Sequence, residues 1–248
     1  MISVHVLTKN SASTLLQTLE SLKTFADVVV LDTGSHDETV EIASQFANVS
    51  VHKAPMKGFG QMHNQAAALA KHDWILSIDS DEVLSDALVQ EILALDLDPS
   101  YVYAIRRDNY FNGKKIRCCA GWHPDWVVRL YNRKETAFSS DAVHEKIMGS
   151  KIKRLQHAMK HVPYRSTADF LEKMQAYSSL FALQYQGKKK SSLGKALLHS
   201  FAAFCKNYFL CRGIFGGRAG FVISLYNAQT TYYKYLKLAE LNQRLCRF

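Results

Sequence analysis

The sequence predicts an α/β fold with a doubly wound, mostly parallel sheet, followed by a basic helical extension. Two observations predict the sheet. Short apolar runs alternate with segments of helical periodicity over the first hundred residues, and the runs end in polar turn residues. A third observation, a change in charge after residue 150, predicts the extension. We therefore expect one domain over residues 1–165 and a helical region over residues 166–248.

Four runs are predicted to form strands, with helices between them. Residues 28–31, VVVL, are apolar throughout, as a strand buried on both faces requires. Ser11 or Ser13 is expected to cap the first helix, whose leucines recur at helical spacing. The predicted strands are residues 3–8, 28–31, 49–51 and 74–78, and the predicted helices lie between them and over residues 85–95.

Two carboxylates follow the fourth predicted strand, in the sequence DSDE that begins at Asp79. The carboxyl ends of parallel strands share one edge, where α/β proteins bind ligands, so Asp79 and Asp81 are expected near Asp32, which follows the second strand. Taken singly, these residues and the glycines Gly58 and Gly60 are more typical of ordinary turns and loops. Their ordered set predicts a nucleotide-binding site, in which one or two carboxylates and substrate phosphates hold a Mg²⁺-type cation.

Composition predicts a globular protein in a reducing compartment. The 248 residues are 48% hydrophobic and 21% charged, which is typical of a folded domain. No uncharged stretch is long enough to predict a membrane span. Five cysteines without a CxxC pair predict neither a disulfide framework nor zinc, so we expect a cytoplasmic location.

The charge is divided unevenly along the chain. Residues 1–150 carry 14 basic and 19 acidic side chains, a net of −5, whereas residues 151–248 carry 17 and 3, a net of +14. Such a segment predicts a polyanionic partner. Apolar residues flanked by basic groups favour helices lying on an anionic membrane surface, although packing on the sheet would explain the apolar residues equally well. A nucleic-acid-binding protein is the alternative of a different class, but no recognised nucleic-acid signature is present.

Several motifs together resemble those of family 2 glycosyltransferases. Residues 30–39, VLDTGSHDET, resemble the signature V-V-D-x-G-S-x-D-x-T, and Gly58-x-Gly60-x-x-x-Asn64 and the DSDE sequence match the next two blocks in order and spacing. The resemblance covers nearly the whole chain and implies a GT-A type, Rossmann-like fold. Later segments are similar to the glucosyltransferases of lipopolysaccharide core biosynthesis, namely residues 107–114, 121–124, 129–131, 143–145 and 161–164.

The resemblance implies an inverting enzyme that moves a hexose, glucose first of all, from a UDP-sugar to heptose or Kdo of a lipid-linked inner core. Residues 1–165 would then bind the nucleotide sugar, and residues 166–248 would face the acceptor at the inner surface of the cell membrane. Another glycan or a protein is the alternative acceptor. A nucleotidyltransferase is disfavoured because the segment near residue 10, KNSAS, lacks the glycines expected there.

The resemblance also implies roles for residues that would contact the donor. Asp81 would hold Mg²⁺ or Mn²⁺, with Asp79 sharing the ion or orienting the ribose. Asp32 would bind the uracil and Thr8 the nucleotide backbone. The remaining candidate contacts are Gly58, Asn64 and Arg129, the last of which a salt bridge would explain equally well. Many family members carry Arg before the Asn, where this chain has His63, and a neutral imidazole cannot form the bidentate phosphate pair of an Arg.

An inverting displacement needs one general base near the acceptor hydroxyl. Glu145, beside His144 in a β-like stretch, is the first candidate, and Asp125 is the alternative. A surface carboxylate paired with a basic group would explain either one. His161 is a candidate to complete the metal shell, because imidazole suits Mn²⁺, although a lone histidine is more often structural.

Overall fold

The computed structural model describes residues 1–139, 146–149, 151–164 and 166–245, with side chains through Gln243. The chain forms two compact units, and each is made of two stretches of sequence. The first unit is Met1–Asp108 with Asp125–His161, and the second is Asn109–Pro124 with Val162–Phe248.

The strands and helices begin close to where the sequence predicts them. The N-terminal elements are β1 (Ile2–Thr8), α1 (Ala12–Glu20), β2 (Val28–Asp32), α2 (Thr39–Ala43), β3 (Val49–Lys53), α3 (Phe59–Leu69), β4 (Trp74–Asp79), β5 (Glu82–Leu84) and α4 (Asp86–Leu93). They are followed by β6 (Val102–Phe111), β7 (Lys114–Lys115), β8 (Asp125–Asn132) and β9 (Ile152–Tyr164).

The sheet is mixed, and the strands that carry the predicted ligand-binding residues are neighbours in it. The order is β3-β2-β1-β4-β8-β6-β9-β5, with β7 paired to β6. The first four strands of that order are parallel, and β8 joins β4 in antiparallel register. Thr8 pairs with Asp32, and Leu7 pairs with Asp79. Three polar residues that are far apart in sequence therefore end adjacent strands at one edge.

Both faces of the parallel strands are covered by helices, which is why β2 is apolar throughout. Val28 and Val30 pack in one core with Leu15 of α1. Val29 lies in a separate core with Ala67 of α3 on the opposite face. All five residues of β2 are buried, so the predicted doubly wound arrangement is confirmed.

The cap expected for α1 is different from the prediction. Ser11 occupies the N-cap position, but its hydroxyl makes no capping bond. The Ser11 hydroxyl instead lies 2.9 Å from the hydroxyl of Ser80, and a carboxylate oxygen of Asp37 accepts the Ala12 N–H. The end of α1 is therefore satisfied from the neighbouring loop, because the serine is used to hold the turn after β4.

The chain from Thr167 onward is helical, as the sequence predicts for its C-terminal region. Its helices are α5 (Thr167–Tyr185), α6 (Leu193–Cys205) and α7 (Gly217–Leu245), with a π-helical turn at Lys206–Leu210 and a 3₁₀ turn at Gly213–Gly216. An aromatic core forms around Phe170, whose ring lies 4.1 Å from that of Tyr164 and 4.3 Å from that of Tyr226 between centroids. Within the described residues, none of the helices is both long and apolar enough to cross a membrane.

The last helix begins within a glycine-rich segment. Glycines stand at positions 213, 216, 217 and 220, and α7 starts at Gly217. Gly220 lies inside the helix where the Gly213 backbone approaches it, and a Cβ at Gly220 would lie 1.9 Å from the Gly213 carbonyl oxygen. This glycine permits close backbone packing rather than ending the helix.

Candidate active site

The site lies at the carboxyl edge of β2, β1 and β4. Thr8 and Asp32 are buried there, and Asp79 is partly exposed beside them. In the described structure, the Oγ1 atom of Thr8 is buried without a hydrogen-bond partner. An unpaired buried hydroxyl is costly unless something binds it, so Thr8 is placed as a ligand-binding group would be.

Asp32 shapes the loop that follows β2. Its carboxylate accepts the N–H groups of Gly34, at 3.2 Å, and Ser35, at 3.1 Å, as well as the Ser35 hydroxyl. The Ser35 hydroxyl in turn accepts the N–H of Asn10 at 2.8 Å. Asp32 thus forms an Asx-type turn while it lies at the carboxyl edge of the sheet.

The turn that carries the paired carboxylates is held from α1. Thr18 donates its hydroxyl to the Ser80 carbonyl at 3.1 Å, and Ser11 and Ser80 share the hydroxyl contact described above. The N–H of Asp79 donates to Oε2 of Glu82 at 3.0 Å. These bonds fix the direction in which the two aspartates leave the strand.

A buried ion network surrounds Asp79. A single guanidinium nitrogen of Arg129 contacts the carboxylates of Asp79 and Glu82. Burial acts to raise the pKa of Asp79, but the positive charges of Arg129 and Arg107 outweigh it, so the pKa lies below the usual range. Burial raises the pKa of Glu82, and the attraction of Arg129 only partly offsets this effect.

The two candidate bases differ in what the structure describes. Asp125 accepts a hydrogen bond from Nε of Arg107 at 2.8 Å, because the two residues are direct partners in the antiparallel register of β6 and β8. Arg107 also lies 3.4 Å from Glu82, so Asp125 belongs to the same ion network as Asp79. Glu145 lies outside the described residues.

Two of the three predicted metal ligands lie side by side. Nε2 of His161 is 3.5 Å from Oδ1 of Asp81, because β9 pairs with β5 with His161 opposite Glu82. A carboxylate oxygen and an imidazole nitrogen suit Mn²⁺, so this pair fits a divalent cation by donor chemistry. The carboxylate of Asp79, the third predicted ligand, instead contacts Arg129. Among the described residues no group of three or more His, Cys, Asp or Glu side chains has the spacing to hold a metal.

Asn64 and His63 pack on Phe138 from α3. The Asn64 amide donates to the Phe138 carbonyl at 3.0 Å and accepts the Phe138 N–H at 2.9 Å. The His63 ring stacks on Phe138 with centroids 4.2 Å apart, and its Nδ1 lies 3.1 Å from Nε2 of His5. Burial lowers the pKa of His63 to about 4. The imidazole of His63 is therefore a neutral group that packs in the core.

The glycine before α3 has a backbone requirement of its own. Gly58 is the N-cap of α3 with φ of 133° and ψ of 143°, a region that side-chain-bearing residues rarely adopt. The loop that it ends follows β3, whose carboxyl end belongs to the same edge as Asp32. Gly58 is thus placed where the sequence predicts a donor-binding loop, and its conformation explains the residue type.

Sequence reasoning missed the residues that bind the predicted carboxylates. Glu82 was noted only as part of the DSDE sequence, and Arg107 only within a family segment, yet both join the network around Asp79. Burial of Glu82 follows from its position in β5, but its partners come from β6 and β8. Nothing in the local pattern indicates which basic side chain a carboxylate will meet.

Comparison with known proteins identifies the class to which this fold and site belong. The model of the family "Glycosyl transferase family 2" matches residues 3–181. An uncharacterized glycosyltransferase of Rickettsia felis is 31% identical, over 99% of this chain and 91% of that protein. The lipopolysaccharide core biosynthesis glycosyltransferase LpsC of Rhizobium meliloti is 25% identical, over 98% of this chain and 92% of that protein.

Solved structures that resemble the chain include TarS 1–349 of S. aureus in complex with UDP-GlcNAc. That structure has a TM-score of 0.48 and 13% sequence identity, covering 99% of this chain and 91% of the TarS chain.

The chain belongs to glycosyltransferase family 2. It is therefore a glycosyltransferase, and the resemblance identified from its motifs is confirmed. The α/β fold of GT-A type with a helical C-terminal region, which that resemblance implies, is confirmed by the observed topology and the family match.

Proposed function

We propose that this protein is an inverting hexosyltransferase that uses a UDP-sugar, UDP-glucose first of all, with Mg²⁺ or Mn²⁺. The observation that carries the proposal is the arrangement at the carboxyl edge of the sheet. Thr8, Asp32 and Asp79 end adjacent strands, and the Asp81–His161 pair lies in the same unit. Ligands bind at such an edge in open α/β sheets.

Each strand end has a separate task in binding the donor. Asp32 accepts a hydrogen bond from the uracil imide, the unpaired Thr8 hydroxyl contacts the nucleotide, and Asp79 orients the ribose. Asp81 and His161 hold the cation, and the cation, when bound, supplies positive charge that stabilises the leaving diphosphate. Gly58 and Asn64 shape the donor loop.

The ion network supplies a fixed electrostatic environment. Arg129 is held by Asp79 and Glu82, so its guanidinium orients Asp79, and any contact with donor phosphate would be additional. Preorganised charges of this kind do not have to reorient when charge develops in the transition state. Arg107 holds Asp125 in the same way, which makes Asp125 the weaker candidate for the base. Glu145 is the base in this proposal.

The proposed acceptor is a lipid-linked inner-core sugar, heptose or Kdo, at the cytoplasmic face of the membrane. The support is the similarity to LpsC together with the charge after residue 150, where 17 residues are basic and 3 are acidic. A basic surface would bring the enzyme to anionic lipids that carry the acceptor. Another glycan or a protein acceptor is the alternative.

The donor is tested by measuring UDP, GDP and CMP sugars against the full-length protein with Mn²⁺. We expect thermal stabilisation and slow hydrolysis with UDP-glucose, because a ligand that binds only the folded state raises the unfolding temperature. Asp81→Asn should abolish the metal-dependent part of the thermal stabilisation and of the hydrolysis. Asp86→Asn, which changes an exposed aspartate of α4, should abolish neither. Full turnover of Asp81→Asn in chelator would disprove the metal-dependent mechanism.

The base is tested separately with two isosteric changes. Glu145→Gln should reduce transfer by at least about a hundredfold, in line with the usual contribution of a general base, while donor binding is kept. Asp125→Asn should mainly weaken the fold through Arg107. The assignment is wrong if Glu145→Gln keeps near-normal transfer and Asp125→Asn loses it without a loss of stability.

A further inference from the structure

Helix α6 packs against α7 along a stripe of small and polar side chains, flanked by the stacked rings of His199 and Tyr235. Ala196 is fully buried, and the Ser200 hydroxyl donates to the Ala228 carbonyl at 2.9 Å. One turn beyond α6, the Asn227 amide donates to Oδ1 of Asn207 at 3.0 Å. Ala196, Ser200 and Asn207 are four and seven residues apart, which places them on a single packed face.

The face opposite this stripe is apolar and open to solvent. Leu197, Leu198 and Phe201 are 55%, 67% and 69% exposed. At 100° per residue, Leu198 and Phe201 lie on the side of the helix away from Ala196 and Ser200, and Leu197 lies on the flank next to them. An amphipathic helix of a globular protein normally presents its polar face to water. In α6 the large apolar side chains point outward instead.

Further large apolar side chains that follow α6 in sequence are also exposed. Phe209 and Leu210 in the π-helical turn are 55% and 80% exposed, and Phe215 in the 3₁₀ turn is 85% exposed. We call Leu197, Leu198, Phe201, Phe209, Leu210 and Phe215 the α6 apolar surface. Exposed side chains of this size in consecutive elements are unusual on a monomer unless the surface binds something.

Charge near this surface indicates the kind of partner. Lys195 and Lys206 lie on α6 and at the start of the π-helical turn, and both are exposed. Between Glu172 and Glu240 the sequence contains ten Lys or Arg residues and no Asp or Glu. A second copy of the chain would bring like charges together, which disfavours association. Apolar side chains bordered by cations suit the boundary between acyl chains and anionic headgroups.

We propose that the α6 apolar surface inserts into the interfacial layer of an anionic lipid bilayer. Leu197, Leu198 and Phe201 enter the acyl boundary, and Lys195 and Lys206 contact the phosphate-bearing headgroups. This proposal rests on the proposed function in one respect, since membrane contact would bring the enzyme to a lipid-linked acceptor. The contact itself depends only on the second unit.

Flotation of the full-length protein with vesicles tests the proposal. Vesicles of phosphatidylcholine with about 30% phosphatidylglycerol should bind the protein, and phosphatidylcholine alone should bind it more weakly. The double change Leu198→Gln with Phe201→Gln should lower the partition coefficient by at least about tenfold, because it removes apolar area from the membrane boundary. Leu93→Gln, at a 46% exposed leucine of α4, is the matched control and should bind like the unaltered protein.

The charge is tested by Lys195→Gln with Lys206→Gln. Each change should weaken binding to the anionic vesicles by about fivefold at low salt, and the difference should shrink in 0.5 M NaCl, where screening is stronger. All variants should keep the unaltered hydrolysis of soluble UDP-sugar. A failure of hydrolysis in every protein would count against the proposed function and leave the vesicle result intact.

Three outcomes would overturn the proposal. The first is equal vesicle binding by both double variants and the unaltered protein. The second is salt-sensitive binding of a fluorescent DNA duplex without binding to vesicles. The third is a concentration-dependent dimer in sedimentation that the Leu198 and Phe201 changes abolish. Circular dichroism confirms that each variant is folded. If the apolar variant does not fold, the lysine variant, which alters exposed side chains only, still decides the question.

Discussion

Arg129 is the residue on which the paired carboxylates depend. Its guanidinium contacts Asp79 and Glu82, and it has one buried nitrogen, Nε, without a partner among the described groups. Burial opposes its charge, but the two carboxylates together hold the pKa of Arg129 above its ordinary value. The arginine therefore stays charged at any pH at which the protein folds.

Replacing Arg129 should destabilise the protein strongly. Arg129→Met leaves the buried Glu82 carboxylate with Arg107, at 3.4 Å, as its remaining arginine contact, so we expect the free energy of unfolding to fall by about 3 kcal/mol, measured by urea denaturation at pH 7.5. Without the guanidinium the pKa of Glu82 should rise further, so the loss should shrink at lower pH as Glu82 takes up a proton.

Arg154→Met is the matched control for this change. Arg154 lies on β9 and is exposed. Its guanidinium carbon lies 4.9 Å from the centroid of the Trp126 ring. Its replacement should change the unfolding free energy by less than about 1 kcal/mol. Equal effects of the two arginine changes would show that the buried network does not stabilise the site.

At the scale of the elements, the ends of helices receive their hydrogen bonds in two different ways. Ser85 and Ser192 cap α4 and α6 directly, each accepting an N–H at 3.2 Å. The N-terminus of α1 is instead served by Asp37, which leaves Ser11 to contact Ser80. Away from the site, a serine directly before the helix caps it. At the site, a side chain from another loop takes the place of that cap.

The cap of α4 gives an element-scale prediction. Ser85→Ala removes the bond to the Leu88 N–H and a 3.2 Å bond to the Ala158 carbonyl, so the unfolding free energy should fall by about 1–2 kcal/mol. Ser44→Ala, at an exposed serine that ends α2, should cost less than about 0.5 kcal/mol. A thermal unfolding series that ranks Ser44→Ala as the more damaging change would contradict this assignment.

At the scale of the whole molecule, two buried imidazoles link global stability to pH. His5 and His63 are neutral neighbours in the first unit, and burial is the main cause that lowers both of their pKa values, that of His63 to about 4. Their unfolded pKa is about 6.5. Their contribution is therefore complete above about pH 6.5 and declines as the pH falls toward the folded values, because the unfolded chain binds protons first.

Acidification from pH 7 to pH 5 should therefore lower the free energy of unfolding. His63→Gln should flatten this dependence by up to about 1.4 kcal/mol per pH unit, as measured by urea denaturation at several pH values. Glu82, whose pKa is raised, acts in the opposite direction, but it is common to both proteins and cancels in the comparison. His36→Gln, at an exposed histidine, is the matched control, and a slope for His63→Gln equal to that of the unaltered protein would refute the linkage.

Much of the first unit was predictable because its elements are recorded in local periodicity. The apolar run of β2 requires burial on both faces, and the alternation of runs and helices requires parallel strands. From these two facts the common edge of Asp32 and Asp79 follows. The π-helical turn at Lys206–Leu210 and the start of α7 at Gly217 were not predicted, since they arise from the approach of one backbone to another.

The sequence by itself determined the α/β class, the common edge at which Asp32 and Asp79 lie and, through its motifs, membership of glycosyltransferase family 2. Only the tertiary structure decided the partners of the carboxylates. Arg129 lies 50 residues from Asp79, and His161 reaches Asp81 through the pairing of β9 with β5. Periodicity reports which face of an element is buried, whereas the register between distant strands decides which charges meet.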